Sequence, residues 1–232
     1  MSEALDRVRG IEQIPIFPLP LVMLPNEFLP LHIFEDKYRQ MLADIGPEGG
    51  LFGVSLFEAE DEFADRPETG TVGCAAEVRD VQTMDDGRSN IMTLGIVRYR
   101  LLDYVPGDKP YLVGDVAFFE DEPDDSPELQ PLADEVFGIF ERVAKAAYKM
   151  SDSRGRFPEI LQTDPQSFSF LATVAFNFEN DLKYQLLAMT STTERLEKLR
   201  EILLKTVDKM EESADIHAVS KTNGHSKKKL DL

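Results

Sequence analysis

The 232-residue sequence predicts an α+β protein: a β barrel carrying one early helix, followed by a C-terminal α-helical bundle. Three observations predict it. Apolar residues in the first half alternate with period two around an Asp-Gly turn. The second half changes to helical spacing behind capped helix starts. An acidic, proline-bearing stretch at 120–125 separates the two. The expected organisation is a barrel over 1–119, a linker over 120–125, a bundle over 126–212 and a disordered, lysine-containing tail over 213–232.

The elements follow in chain order. Residues 14–18 are interrupted by Pro15 and Pro18, which suits an edge strand, because proline donates nothing to a ladder. Pro25-Asn26 marks a turn, and the alternating run Phe-Leu-Pro-Leu-His-Ile-Phe at 28–34 reads as a second strand. Residues 36–45 place Tyr38, Met41, Leu42 and Ile45 on one helical face, and Pro47, Gly49 and Gly50 end that helix. Residues 51–57 form a buried strand. The runs 70–84 and 88–103 flank Asp85-Asp86-Gly87 and predict a long hairpin, with a bulge or bend at Gly95. Residues 111–119 add another strand.

Ser126-Pro127-Glu128 opens the first long helix, and Asp164-Pro165 repeats that start. A further helix spans 182–189. Ser191-x-x-Glu194 forms a capping box ahead of Leu196, Leu199, Leu203, Val207 and Met210.

Charge and composition narrow the function. The net charge is −18, and residues 1–220 hold 21 basic against 42 acidic residues. Such a body repels a phosphate backbone, so nucleic acid is not an expected partner. No run approaches the ~18 apolar residues that a membrane span needs, and the charged start resembles neither a signal nor a transit peptide. One cysteine, Cys74, excludes an internal disulfide and a cysteine-rich metal site. A cytoplasmic location is the expectation.

Catalytic patterns are missing. The sequence holds no phosphate-binding glycine loop with its lysine, no His-Glu-x-x-His and no Gly-x-Ser-x-Gly. Gly50-x-x-Gly53 and Gly70-x-x-Gly73 open strands and read as structural. His32, His217 and His225 are too scattered for a zinc site. His32 on its strand projects opposite Leu31 and Ile33, and Cys74 reads as a buried thiol. The acidic clusters at 58–68 and 120–128 lack calcium-loop spacing and read as solvated loops. Arg154-Gly-Arg156 is a short basic spot. The expected protein is not an enzyme and has no cofactor or metal.

Apolar residues in proline-fixed loops remain. Pro20 and Pro25 prevent a regular central strand through Leu21, Val22, Met23 and Leu24. Met84 flanks the hairpin tip. Pro20, Leu21, Val22, Met23 and Met84 are the candidate peptide-binding residues if they face water. The other reading is that they fold back and plug the barrel.

One run is recognisable as a family signature. Residues 15–39, from Pro15-Ile-Phe-Pro-Leu-Pro through Leu31-His-Ile-Phe-Glu-Asp-Lys-Tyr-Arg39, resemble the opening of the Lon protease amino-terminal domain. Gly70-Thr-Val-Gly73, Asp86-Gly87, Leu94-Gly95-x-x-Arg98-Tyr99-Arg100, 111–116, 181–187 and 193–199 match its later segments in order. The resemblance covers about 11–210. It implies a PUA-like β pseudo-barrel followed by a helix bundle, and a role in holding polypeptide substrates or partner proteins. It also implies a stand-alone form, without the ATPase and Ser-Lys protease, so that no catalytic position carries over and a separate protease is a candidate collaborator. The alternatives are an RNA-binding PUA-like domain and a small-molecule-binding barrel.

Overall fold

The fold comes from a computed structural model that describes residues 2–46, 49–58, 65–151 and 156–223, with side chains through 213. The elements run α1 (Glu3–Arg7), β1 (Gln13–Leu19), β2 (Phe28–Ile33), α2 (Asp36–Ile45), β3 (Leu51–Leu56), β4 (Val72–Thr83), β5 (Ser89–Tyr104) and β6 (Leu112–Phe119). Four helices follow: α3 (Leu129–Met150), α4 (Pro165–Ala175), α5 (Asn180–Ala188) and α6 (Thr192–Asn223).

The strands form one sheet in the order β2-β5-β4-β3-β1-β6, and an additional β5–β6 pairing closes five of them into a barrel. Strand β5 makes closure possible. Its first half pairs with β2, from Ile33↔Ser89 to Phe28↔Leu94, and its second half pairs with β6 from Arg98↔Phe119 onward. The change falls at Gly95, where the register with β4 shifts between Ala75 and Ala76. This is the bulge expected from the sequence. Strand β2 is left outside the closed ring, bonded to β5 alone among the described strands.

The edge-strand expectation for 14–18 is corrected. Strand β1 lies inside the ring, antiparallel to β6 over Gln13–Ile16 and parallel to β3 over Ile16–Leu19. Each half is paired on one side only, so Pro15 and Pro18 each need satisfy one neighbour rather than two. Two cores fill this unit. Val8, Ile14, Ile16, Ala75, Val97, Tyr99, Leu101 and Val116 form one. Helix α2 lays Tyr38, Met41 and Leu42 against Phe17, Phe52, Val54 and Ile91 in the other. Gly53 and Gly73 leave room for the Tyr99 ring, since a Cβ at either would meet its hydroxyl at 2.5 Å. The Tyr99 hydroxyl bonds Ser55 Oγ at 2.6 Å.

The chain divides into two compact units: Met1–Glu122 with Thr173–Thr190, and Pro123–Ala172 with Ser191–Leu232. The helical stretch expected over 126–212 is therefore not one block, because α5 belongs with the barrel. In the helical unit α3 packs along α6. Ala133, Val136, Ile139, Val143 and Ala146 recur at helical spacing, as do Leu196, Leu199, Leu203 and Val207. Helix α3 starts at Leu129, three residues after Ser126, whose side chain accepts the Glu128 amide at 3.2 Å in a preceding turn. Asp164 and Ser191 cap as expected, accepting the Ser167 amide at 3.0 Å and the Glu194 amide at 3.2 Å. Helix α6 continues to Asn223, past the expected start of the tail at 213, and 224–232 lie outside the described residues.

Candidate functional site

The candidate loop residues separate on folding. Pro20 is exposed and Leu21 half-buried, but Val22 is 3 % and Met23 1 % exposed. Met23 joins the core cluster that holds Phe17 and Tyr38. The exposure expected for Val22 and Met23 is corrected: that part of the loop plugs the core. Its anchor is backbone. Asn26 donates to the Gly95 carbonyl, and the Gly95 amide donates to the Glu27 carbonyl, both at 2.9 Å. Asn26 takes a positive φ of 66° to turn the chain. The Glu27 carboxylate accepts the Leu24 amide at 2.8 Å, while burial pushes its pKa up.

Water-facing apolar side chains stand instead on the outward face of β2, β5 and β4. Phe28 is 63 %, Phe34 59 % and Met92 37 % exposed. The side-chain alternation of β2 explains this. Leu29, Leu31 and Ile33 turn inward, so Phe28, Pro30, His32 and the following Phe34 share the other face. Register extends that face across the sheet. Pro30 stands beside Met92, which stands beside Asp80; His32 stands beside Asn90, which stands beside Gln82. His32 Nδ1 lies 2.7 Å from Asn90 Oδ1, and its ring stacks on Phe34 at 5.9 Å. Pro30, His32, Asp80, Gln82, Asn90 and Met92 line a shallow groove of 310 Å³. The half-buried Met84 follows Gln82 by two residues, just past the end of β4, its amide bonded to the Arg88 carbonyl at 2.8 Å. The signal for this face was the Phe28-Pro30-His32-Phe34 alternation itself.

A second, wider cleft of 660 Å³ lies between β3 and α5, with Glu58, Glu68, Glu179 and Asp181 on its walls. Asn180 Nδ2 crosses it to the Pro20 carbonyl at 3.1 Å and to Glu58 Oε1 at 2.7 Å. The walls carry carboxylates and amides but no nucleophile–base pair. Cys74 is fully buried, and burial pushes its thiol up, away from nucleophilic character. Among the described residues no three His, Cys, Asp or Glu side chains are grouped to hold a metal, and no helix is long and apolar enough to cross a membrane. The His217 side chain, His225, Arg154 and residues 59–64 lie outside the described residues.

Comparison with known proteins decides the family. Residues 13–205 match the model of the ATP-dependent protease La (LON) substrate-binding domain. The chain belongs to this family. It is 29 % identical to the Lon protease of Rhizobium meliloti over 79 % of its own length and 23 % of that protein. It is 27 % identical to the Lon protease of Flavobacterium johnsoniae over 88 % of itself and 25 % of that protein. The chain thus spans about a quarter of the length of these curated relatives. Among solved structures it resembles a Lon N-terminal domain protein from Xanthomonas campestris, with TM-score 0.57, 25 % identity and coverage of 82 % of this chain and 97 % of that one. The N-terminal domain of the Mycobacterium avium complex Lon protease shares the fold at TM-score 0.60, with 21 % identity and the same coverage.

In this Lon-family chain the Gly95-x-x-Arg98-Tyr99 pattern is architectural. Arg98 is buried and donates to the Leu187 carbonyl at 3.0 Å, to the Met189 carbonyl and to Asp121 Oδ1 at 2.5 Å. Its guanidinium lies 4.6 Å from the Phe119 ring. The last carbonyls around the end of α5 thereby receive their donors from β5. Tyr184 of α5 also accepts the Val72 amide at 3.1 Å.

Proposed function

We propose that this protein is a non-catalytic recognition module that takes up apolar stretches of polypeptide on the outward face of β2, β5 and β4. One observation carries the reading: Phe28, Phe34 and Met92 stand exposed on one face of a fixed sheet. Large apolar side chains gathered on one sheet face, rather than scattered singly, are what marks an interaction surface. Met84 extends the face, Pro20 and Leu21 contribute where they remain exposed, and Val22 and Met23 support the fold from within. Family membership supports the class of partner, because the matched model is the substrate-binding part of Lon rather than its motor or protease. The same reasoning supports a cytoplasmic role beside a protease, with polypeptides as partners. An acidic chain does not favour RNA, and a shallow groove does not favour an enclosed small metabolite.

Burying one phenylalanine contributes about 1.5–3 kcal/mol, or roughly tenfold or more in affinity. Fluorescence anisotropy with a labelled, reduced and carboxymethylated protein, which stays unfolded, reads the interaction. The double variant Phe28→Asp/Phe34→Asp should bind at least ~100-fold more weakly at an unchanged melting temperature. Wild-type affinity in that folded variant would refute the assignment of this face.

A further inference from the structure

The groove on this face contains one carboxylate without a counter-charge. Asp80 is exposed and has no hydrogen-bond or ion-pair partner among the described residues. Two other acids nearby are answered: Glu77 on β4 by Arg7 and Arg79, and Asp86 in the β4–β5 turn by Arg88. Register puts Asp80 beside Met92 and two strands from Pro30. Adjacent strands are ~4.8 Å apart, so an apolar wall and a bare carboxylate lie within the reach of one long side chain.

We infer that Asp80 makes the face selective for extended polypeptide segments that carry a lysine or arginine among apolar residues. This rests on the recognition role proposed above and names its substrate class. A lysine or arginine stem lies along Met92 while its charged head meets Asp80. Met92 and Pro30 supply the apolar contact for the stem, and the exposed Asp80 supplies the opposite charge for the head. The net charge of −18 adds a general pull on basic segments. It also makes a second copy of this acidic chain a poor occupant. Pro30 withholds a donor from the β2 edge, so the segment is held by side chains on the face rather than by a continuous added strand.

The test uses the full chain and three fluorescein-labelled peptides, identical in their apolar positions, with Lys, Gln or Glu at the centre. Wild type should prefer the Lys peptide over the Gln peptide by roughly two- to fivefold at low salt. Asp80→Asn should abolish that preference while leaving Gln-peptide affinity intact, and Asp80→Lys should turn it toward the Glu peptide. A Lys preference that survives Asp80→Asn overturns this inference and leaves the recognition role standing. Failure of wild type to bind any of the three overturns both. A concentration-dependent dimer in sedimentation velocity, lost in Phe28→Asp, would replace the peptide with a second copy as the occupant.

Discussion

At Gly95 an added Cβ atom would collide with the Leu24 carbonyl oxygen, which explains why the loop at 24–27 can dock there by two backbone hydrogen bonds. The bend was legible in the sequence, but the docking partner was not, since Asn26 and Gly95 stand 69 positions apart. Asp44 shows a similar long reach at the surface. Its carboxylate accepts from Lys109, from the Tyr111 hydroxyl at 2.6 Å and from Gln40 at 2.7 Å. These bonds, Lys109 first, hold its pKa at about 2, below the ordinary 3.8. A depressed carboxylate stabilises the fold above its unfolded value, and that contribution disappears as pH falls through the folded value. Urea unfolding of wild type and Asp44→Asn should therefore differ most at and above pH ~4 and converge toward pH ~2. Parallel curves across that window would refute the linkage.

Among the elements, α5 departs most from its sequence reading. Its leucines look like one more helix of a bundle, yet it belongs to the unit built on the barrel. The cause is Arg98, whose guanidinium fills the end of the helix, and Asp121, which balances the charge. Replacing Arg98 by Met should cost about 3–5 kcal/mol, because the Leu187 and Met189 carbonyls and the Asp121 carboxylate all lose the buried guanidinium that serves them. Hydrogen exchange should accelerate first in Asn180–Ala188, the segment that the arginine ties down. A loss spread evenly over β4 and β5 would contradict that placement. Strand β2 illustrates the converse: its alternation was plain in the sequence and sorts its side chains into two opposite faces.

For the whole molecule, the acid excess is the feature that composition alone supplies. With −18 net charge and no phosphate cradle in the sequence, single-stranded RNA should not be retained in filter binding even at ~50 mM salt, where electrostatic contacts are strongest. Salt-sensitive retention would reopen the RNA-binding alternative. The division into two units also belongs to this scale. The chain leaves the barrel unit near 122, returns to it over 173–190 and leaves again, so that neither unit is continuous in sequence.

The sequence by itself determined the α+β class, the hairpin around Gly87, the helix caps at Asp164 and Ser191, the charge and the family signature. All of these are set by neighbours within a few residues or by composition, where periodicity and local hydrogen bonding act. Tertiary structure decided which apolar residues meet water. Leu21 to Leu24 and Phe28 to Phe34 are similarly apolar runs punctuated by proline. Long-range bonds to Gly95 draw the first into the core, while the second turns Leu29, Leu31 and Ile33 to the core and leaves the alternate residues facing solvent. Burial depends on what lies across the fold, and no local pattern in the chain encodes that.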